Sequence, residues 1–130
     1  MSRDTKFVHL AWQRDEKALA TVRYPMGSDV TGEVAHLFGV TDHKSGLTLR
    51  GTYIISPEGT LLNAEINFFN LGRSIEEILR KVRANRYLAG NPSEGVPAQW
   101  KEKGDITLKP GPKLVGNVAE AMKRKGSSRR

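Results

Sequence analysis

The sequence predicts a mixed α/β fold, and three observations carry that prediction. A β-rich segment, Leu47 to Ser56, is followed by the turn Pro57-Glu58-Gly59-Thr60 and a second strand-like run, Leu61 to Phe69. Proline is preset for the first central turn position and glycine tolerates the conformation after it, so the pair is expected to form a β-hairpin. A strongly amphipathic segment from about Ser74 to Leu88 then switches the hydrophobic period from two to between three and four. Two shorter helical patterns precede the hairpin.

The first of these spans residues 4 to 13. Asp4 or Thr5 is available as its cap, and Phe7, Leu10 and Ala11 share one face. Residues 14 to 23 are polar and irregular. Tyr24-Pro25-Met26 is expected to be a short strand, with Pro25 placing it at an edge or a start. Asp29 is suited to cap a helix over about Val30 to Phe38, and Gly39 to end it. In the second hairpin strand, Leu62, Ala64, Ile66 and Phe68 alternate with Asn63, Glu65 and Asn67, which predicts an apolar buried face. Ser74 and Glu77 have capping-box spacing, and Ile75, Ile78, Leu79 and Val82 form the expected buried stripe of the following helix. Between Asn91 and Pro112 four prolines interrupt regular structure, so this stretch is expected to be an extended arm. Leu114, Val115, Val118, Ala119 and Met122 suggest one last short amphipathic helix.

Composition restricts the chemistry. The chain has 130 residues, 38% hydrophobic and 27% charged, a size and balance that suit one soluble domain. No apolar run is long enough to cross a bilayer, and the first residues lack a signal-peptide pattern. The net charge is +7, but five basic residues lie in the last eight, Lys123 to Arg130, leaving 16 basic against 14 acidic groups elsewhere. Such a tail can hold phosphates through counterion release, although a solvated end is the ordinary case, and no nucleic-acid partner is expected. Cysteine is absent from the 130 residues, which excludes disulfides, thiolate metal sites and a thiol nucleophile supplied by them. Met1, Met26 and Met122 can be oxidised, but a thioether forms no thiolate.

His9, His36 and His43 do not have the spacing of a zinc protease, and structural or solvated roles are expected for them. No phosphate-binding glycine loop or nucleophile elbow occurs. Asp15-Glu16 and Glu76-Glu77 suit exposed faces rather than an acid–base pair. Arg50 is the unusual residue. It sits in an otherwise apolar or hydroxylic strand beside Gly51, which allows a close approach. If half-buried it needs an anionic or hydrogen-bonding partner; the alternative is an edge arginine in solvent.

Several segments resemble one known family in order and spacing. Arg50-Gly51-Thr52-Tyr53-Ile54-Ile55-Ser56-Pro57-Glu58-Gly59 is similar to the RGTFIIDPEG hairpin of typical two-cysteine peroxiredoxins, which include the bacterial alkyl hydroperoxide reductase small subunits. His9-Leu10-Ala11-Trp12, Tyr24-Pro25-Met26 with Ser28-Asp29, Phe38-Gly39-Val40, Asn70-Leu71-Gly72-Arg73-Ser74, Pro97-Ala98-Gln99-Trp100 and Leu108-Lys109-Pro110 match further family segments. The likeness covers about residues 2 to 116.

The resemblance implies a thioredoxin-like fold, truncated at its N-terminus, with an extended C-terminal arm. It divides the chain into a partial thioredoxin-like domain (1–90), an arm with a short helix (91–122) and a basic tail (123–130). The family activity is thiol-dependent reduction of hydrogen peroxide and alkyl hydroperoxides. It needs no metal or organic cofactor and draws electrons from a thioredoxin-type reductant. Arg50 matches the arginine that stabilises the peroxidatic thiolate, and Val96 stands where the family has its resolving cysteine. The P-x-x-x-T-x-x-C loop would precede Ser2. The resemblance therefore implies a cysteine-less C-terminal portion without activity by itself; the alternative is a non-catalytic interaction or assembly module. Exposed apolar faces, a complementing N-terminal segment, a homodimer formed through strand 61–69 and a cytoplasmic location are the further expectations.

Overall fold

The computed structural model describes residues 1–123. Its elements are α1 (Lys6–Asp15), α2 (Glu33–Leu37), β1 (Arg50–Ile55), β2 (Leu61–Asn67), α3 (Ile75–Gly90) and α4 (Val118–Lys123), with 3-10 turns at Lys17–Leu19 and Pro112–Leu114. Strands β1 and β2 form a two-stranded sheet. The chain divides into two compact units, one of Met1–Tyr53 with Ala64–Gly72, the other of Ile54–Asn63 with the residues from Arg73 onward. Of the basic tail, only Lys123 lies within the described residues.

In the first unit, Thr5 caps α1, its Oγ1 accepting the Val8 amide at 3.3 Å. The expected apolar face of this helix is not the covered one. Phe7 is 70% exposed and Leu10 and Ala11 are exposed too, while His9 is the buried residue. Tyr24-Pro25-Met26 forms no strand. Proline has no amide to give, and the pairing falls two residues beyond Met26, as a parallel bridge between Ser2 and Ser28. The Gly27 carbonyl accepts from Ser2 at 3.1 Å and the Asp29 amide donates to Ser2 at 2.8 Å.

Helix α2 is shorter than its sequence pattern. Gly32, at φ 77°, closes a turn back to the Asp29 carbonyl, so the helix starts at Glu33. Asp29 still acts at the helix start from a distance, its buried carboxylate accepting the amides of Val34 at 3.2 Å and Ala35 at 2.8 Å. Gly39, at φ 66°, follows the helix end as expected. Ala35 and Val40 complete the small buried set of this unit. Strand β1 begins at Arg50 rather than Leu47, because Thr48 bridges to Thr41 instead of joining the hairpin.

The hairpin turn forms as its residues dictate, with Gly59 at φ 86° and the Ser56 amide donating to Thr60 at 2.8 Å. The faces of β2 are the reverse of expectation. Asn63, Glu65 and Asn67 are half-buried, whereas Leu62, Ala64, Ile66 and Phe68 are exposed, Phe68 to 67%. The polar face is occupied because its amides have partners. Asn85 of α3 donates to the Asn63 side chain at 2.6 Å, and the Asn67 amide donates to the Gly72 carbonyl at 3.1 Å.

In the second unit, Ser74 caps α3, accepting the Glu77 amide at 3.2 Å. The expected stripe is covered only in part. Ile78 and Val82 are half-buried, Ile75 is 63% exposed, Leu79 is exposed, and Ala84 is the buried position. The arm, expected to be extended, folds on itself through an antiparallel bridge between Gly95 and Leu108, with turns at residues 92–93 and 98–99. Trp100, 2% exposed, is its anchor and the largest buried side chain of this unit. The last helical pattern resolves into the 3-10 turn and the six-residue α4.

Candidate functional site

Arg50 opens β1 and its side chain is exposed, so the edge alternative holds. It is not simply solvated. Its Nε donates to the Phe69 carbonyl at 2.8 Å, which fixes the guanidinium plane across the hairpin mouth. No carboxylate pairs with Arg50 among the described residues, so its terminal N–H groups keep the fork geometry that suits an anion. Gly51 beside it serves packing. A Cβ there would meet the Tyr53 ring at 2.8 Å and Val40 Cγ1 at 2.9 Å. Tyr53 in turn donates to the Phe38 carbonyl, and its ring lies 4.5 Å from that of Phe38. Glycine at 51 thus lets Tyr53 lie over Val40 and lock the segment behind Arg50.

Sequence reasoning missed a polar chain at the start of the same unit. Ser2 Oγ donates to Asp4 at 2.6 Å and lies 2.6 Å from His9 Nε2. The three residue types suggest a hydrolytic triad, but the proton count excludes one. The single Ser2 proton goes to Asp4, so His9 is the donor toward Ser2 and cannot act as its base. His9 Nδ1 is buried without a partner, so nothing orients the ring from behind. The sequence signal was Ser2-x-Asp4 one turn before a helical histidine. His36 and His43 are exposed, their ring centroids 6.1 Å apart. No group of three or more metal-ligating side chains occurs among the described residues.

Val96 lies in the second unit, half-buried in the arm next to the Gly95–Leu108 bridge. The arm is fastened to α3 by a latch. Tyr87 donates its hydroxyl to Glu94 at 2.8 Å, and the Thr107 side chain also bonds to Glu94. Thr107 first, then Tyr87, holds the Glu94 carboxyl below the usual carboxylate range. The same carboxylate pushes the Tyr87 phenol above its ordinary value. Tyr87 also contacts Trp100, ring centroids 5.4 Å apart. Glu77 is bound by Arg80 through two contacts of 2.6 and 2.8 Å, and Arg80 reaches the Trp100 carbonyl at 3.4 Å. The arm therefore presents a rigid segment with an aliphatic residue at position 96, which offers no redox chemistry.

Residues 1–64 match the model of the AhpC/TSA family. The chain is 44% identical over 117 residues to the chloroplastic 2-Cys peroxiredoxin of Arabidopsis thaliana, a match covering 88% of this chain and 44% of the relative. It is 40% identical over 118 residues to alkyl hydroperoxide reductase C of Staphylococcus epidermidis, covering 91% of this chain and 62% of the relative. Among solved structures, reduced Plasmodium vivax 2-Cys peroxiredoxin aligns with TM-score 0.79 and 26% identity, over 89% of this chain and 61% of that one. Enterococcus faecalis alkyl hydroperoxide reductase C aligns with TM-score 0.68 and 37% identity, over 73% of this chain and 57% of that one. The chain thus spans 44% to 62% of the length of these relatives. In ordered motifs, backbone and thioredoxin-like architecture the chain is similar to the AhpC/TSA family, the peroxiredoxins.

Proposed function

We propose that these 130 residues are the C-terminal portion of a thiol-dependent peroxidase acting on hydrogen peroxide and alkyl hydroperoxides, inactive by themselves, with Arg50 as the active-site arginine. The carrying observation is the guanidinium held by the Phe69 carbonyl and free of any carboxylate among the described residues. A cation fixed in this way lowers the pKa of a neighbouring thiol and orients a peroxide, provided that a thiolate is brought to it. The cysteine count shows that the thiol must come from outside these residues. A complementing N-terminal segment is the proposed source, and a thioredoxin-type protein the proposed reductant.

The assignment of 1–90 as partial thioredoxin-like domain, 91–122 as arm and 123–130 as tail stays with this proposal. So does a homodimer through strand 61–69, favoured by the exposed apolar residues of β2. A cytoplasmic location also belongs here; no helix among the described residues is long and apolar enough to cross a membrane. Val96 favours the second reading, a peroxiredoxin-like assembly module, because the resolving position carries no sulfur.

Peroxide consumption separates the two. The 130-residue chain is assayed with thioredoxin and its reductase, alone and fused to the N-terminal portion of Staphylococcus epidermidis alkyl hydroperoxide reductase C. Turnover by the fusion alone, lost in its Arg50→Ala form, is the expected outcome. A folded fusion that consumes no peroxide would sink the peroxidase reading and leave the assembly module. Turnover by the chain alone would refute its inactivity.

A further inference from the structure

We propose that Met122 is a modification site, oxidised to the sulfoxide by hydroperoxides, and that its oxidation releases α4 from the arm. Helix α4 has six residues, far below the roughly 12 needed for an isolated helix to hold in water. Its attachment must therefore come from packing. None of its residues is buried, and only Ala121 and Met122 are half-buried. Alanine offers one methyl group, so Met122 is the larger of the two half-buried apolar side chains of α4. Met122 lines a half-open cavity of about 300 Å³ together with Pro97, Trp100, Asp105 and Ile106. The opposing wall is firm, since Trp100 is buried, contacts Tyr87 and has its carbonyl bonded by Arg80. Met122 thus sets the one oxidisable sulfur of α4 in a cavity shared with this wall.

The step balances without a thiol or a metal. The Met122 sulfur attacks one oxygen of the hydroperoxide, the S–O bond forms and the O–O bond breaks. Sulfur loses two electrons, the peroxide is reduced to water or an alcohol, and its proton passes to the leaving oxygen. The product replaces an apolar, adaptable contact with a strong dipole that requires solvation. The inference does not depend on the peroxidase reading. Met1 and Met26 belong to the first unit and Met122 to the second, so the Met122 variants tell its oxidation from theirs.

The test treats the full 130-residue chain with hydrogen peroxide. Oxygen addition at Met122 is followed by peptide mass, and amide exchange in α4 by deuterium uptake. Oxidation is expected to speed α4 exchange by about tenfold or more. Met122→Leu should keep slow exchange in peroxide, and Met122→Gln should exchange fast without it. Methionine sulfoxide reductase should restore the slow rate. The proposal is overturned if Met122 stays reduced while Met1 oxidises, if oxidised chains exchange at the untreated rate, if the Leu variant responds like the parent, or if α4 already exchanges freely before treatment.

Discussion

Glu94 accepts from two hydroxyls on different segments, and this makes it a residue through which pH acts on the arm. Its folded pKa lies below its ordinary value of 4.5, with Thr107 the larger cause and Tyr87 the smaller. A carboxyl depressed on folding adds stability that is fully present above the ordinary value and is lost as pH falls through the folded one. Urea midpoints measured from about pH 6 to about pH 3 should therefore decline on acidification, and Glu94→Gln should remove part of that slope. Thr107→Val should flatten it more than Tyr87→Phe. A Gln variant with the parent slope would show that the latch does not couple to folding. Arg50 and Gly51 illustrate what single positions reveal beforehand. A charged residue in a β-rich run marked an unusual site, but its partner, the Phe69 carbonyl, is nineteen residues away and has no side-chain signature.

Elements were legible where their causes are local. The hairpin turn follows from Pro57 and Gly59, and α3 from the Ser74 cap and its period. Ser74→Ala should cost about 1 kcal/mol of stability, read as a lower denaturation midpoint, because the Glu77 amide loses its acceptor. An unchanged midpoint would mean that the helix start is held by packing instead. Which face of an element is covered was not legible. Alternation along β2 gives the two faces but not which is inside, and the Asn85 side chain bonds Asn63, a residue of the polar one. Helix α2 was overextended for a related reason. The apolar pattern from Val30 to Phe38 is real, yet the left-handed Gly32 inserts a turn that the pattern cannot register.

At the scale of the molecule the exposed apolar surface dominates. Phe7, Trp12, Ile66 and Phe68 of the first unit are all about half or more exposed, beyond the scattered exposure of a self-sufficient monomer. The purified chain should self-associate, and Ile66→Glu with Phe68→Glu should lower its mass in solution by light scattering while helix content stays constant. A parent chain that is monomeric at high concentration would contradict this. The family and its thioredoxin-like architecture were readable from motif order, whereas the two-unit division was not, since it depends on contacts distant in sequence.

That division is interleaved along the chain. The first unit takes Ala64–Gly72 from beyond the hairpin turn, and the second takes Ile54–Asn63, which contains the turn itself. No single cut of the backbone can hand each unit all of its own residues. A cut after Tyr53 strips Ala64–Gly72 from the first unit, and a cut after Gly72 strips Ile54–Asn63 from the second. The chain resists dissection: fragments from one cleavage site give two damaged halves or one whole unit beside a damaged one, never a matched pair.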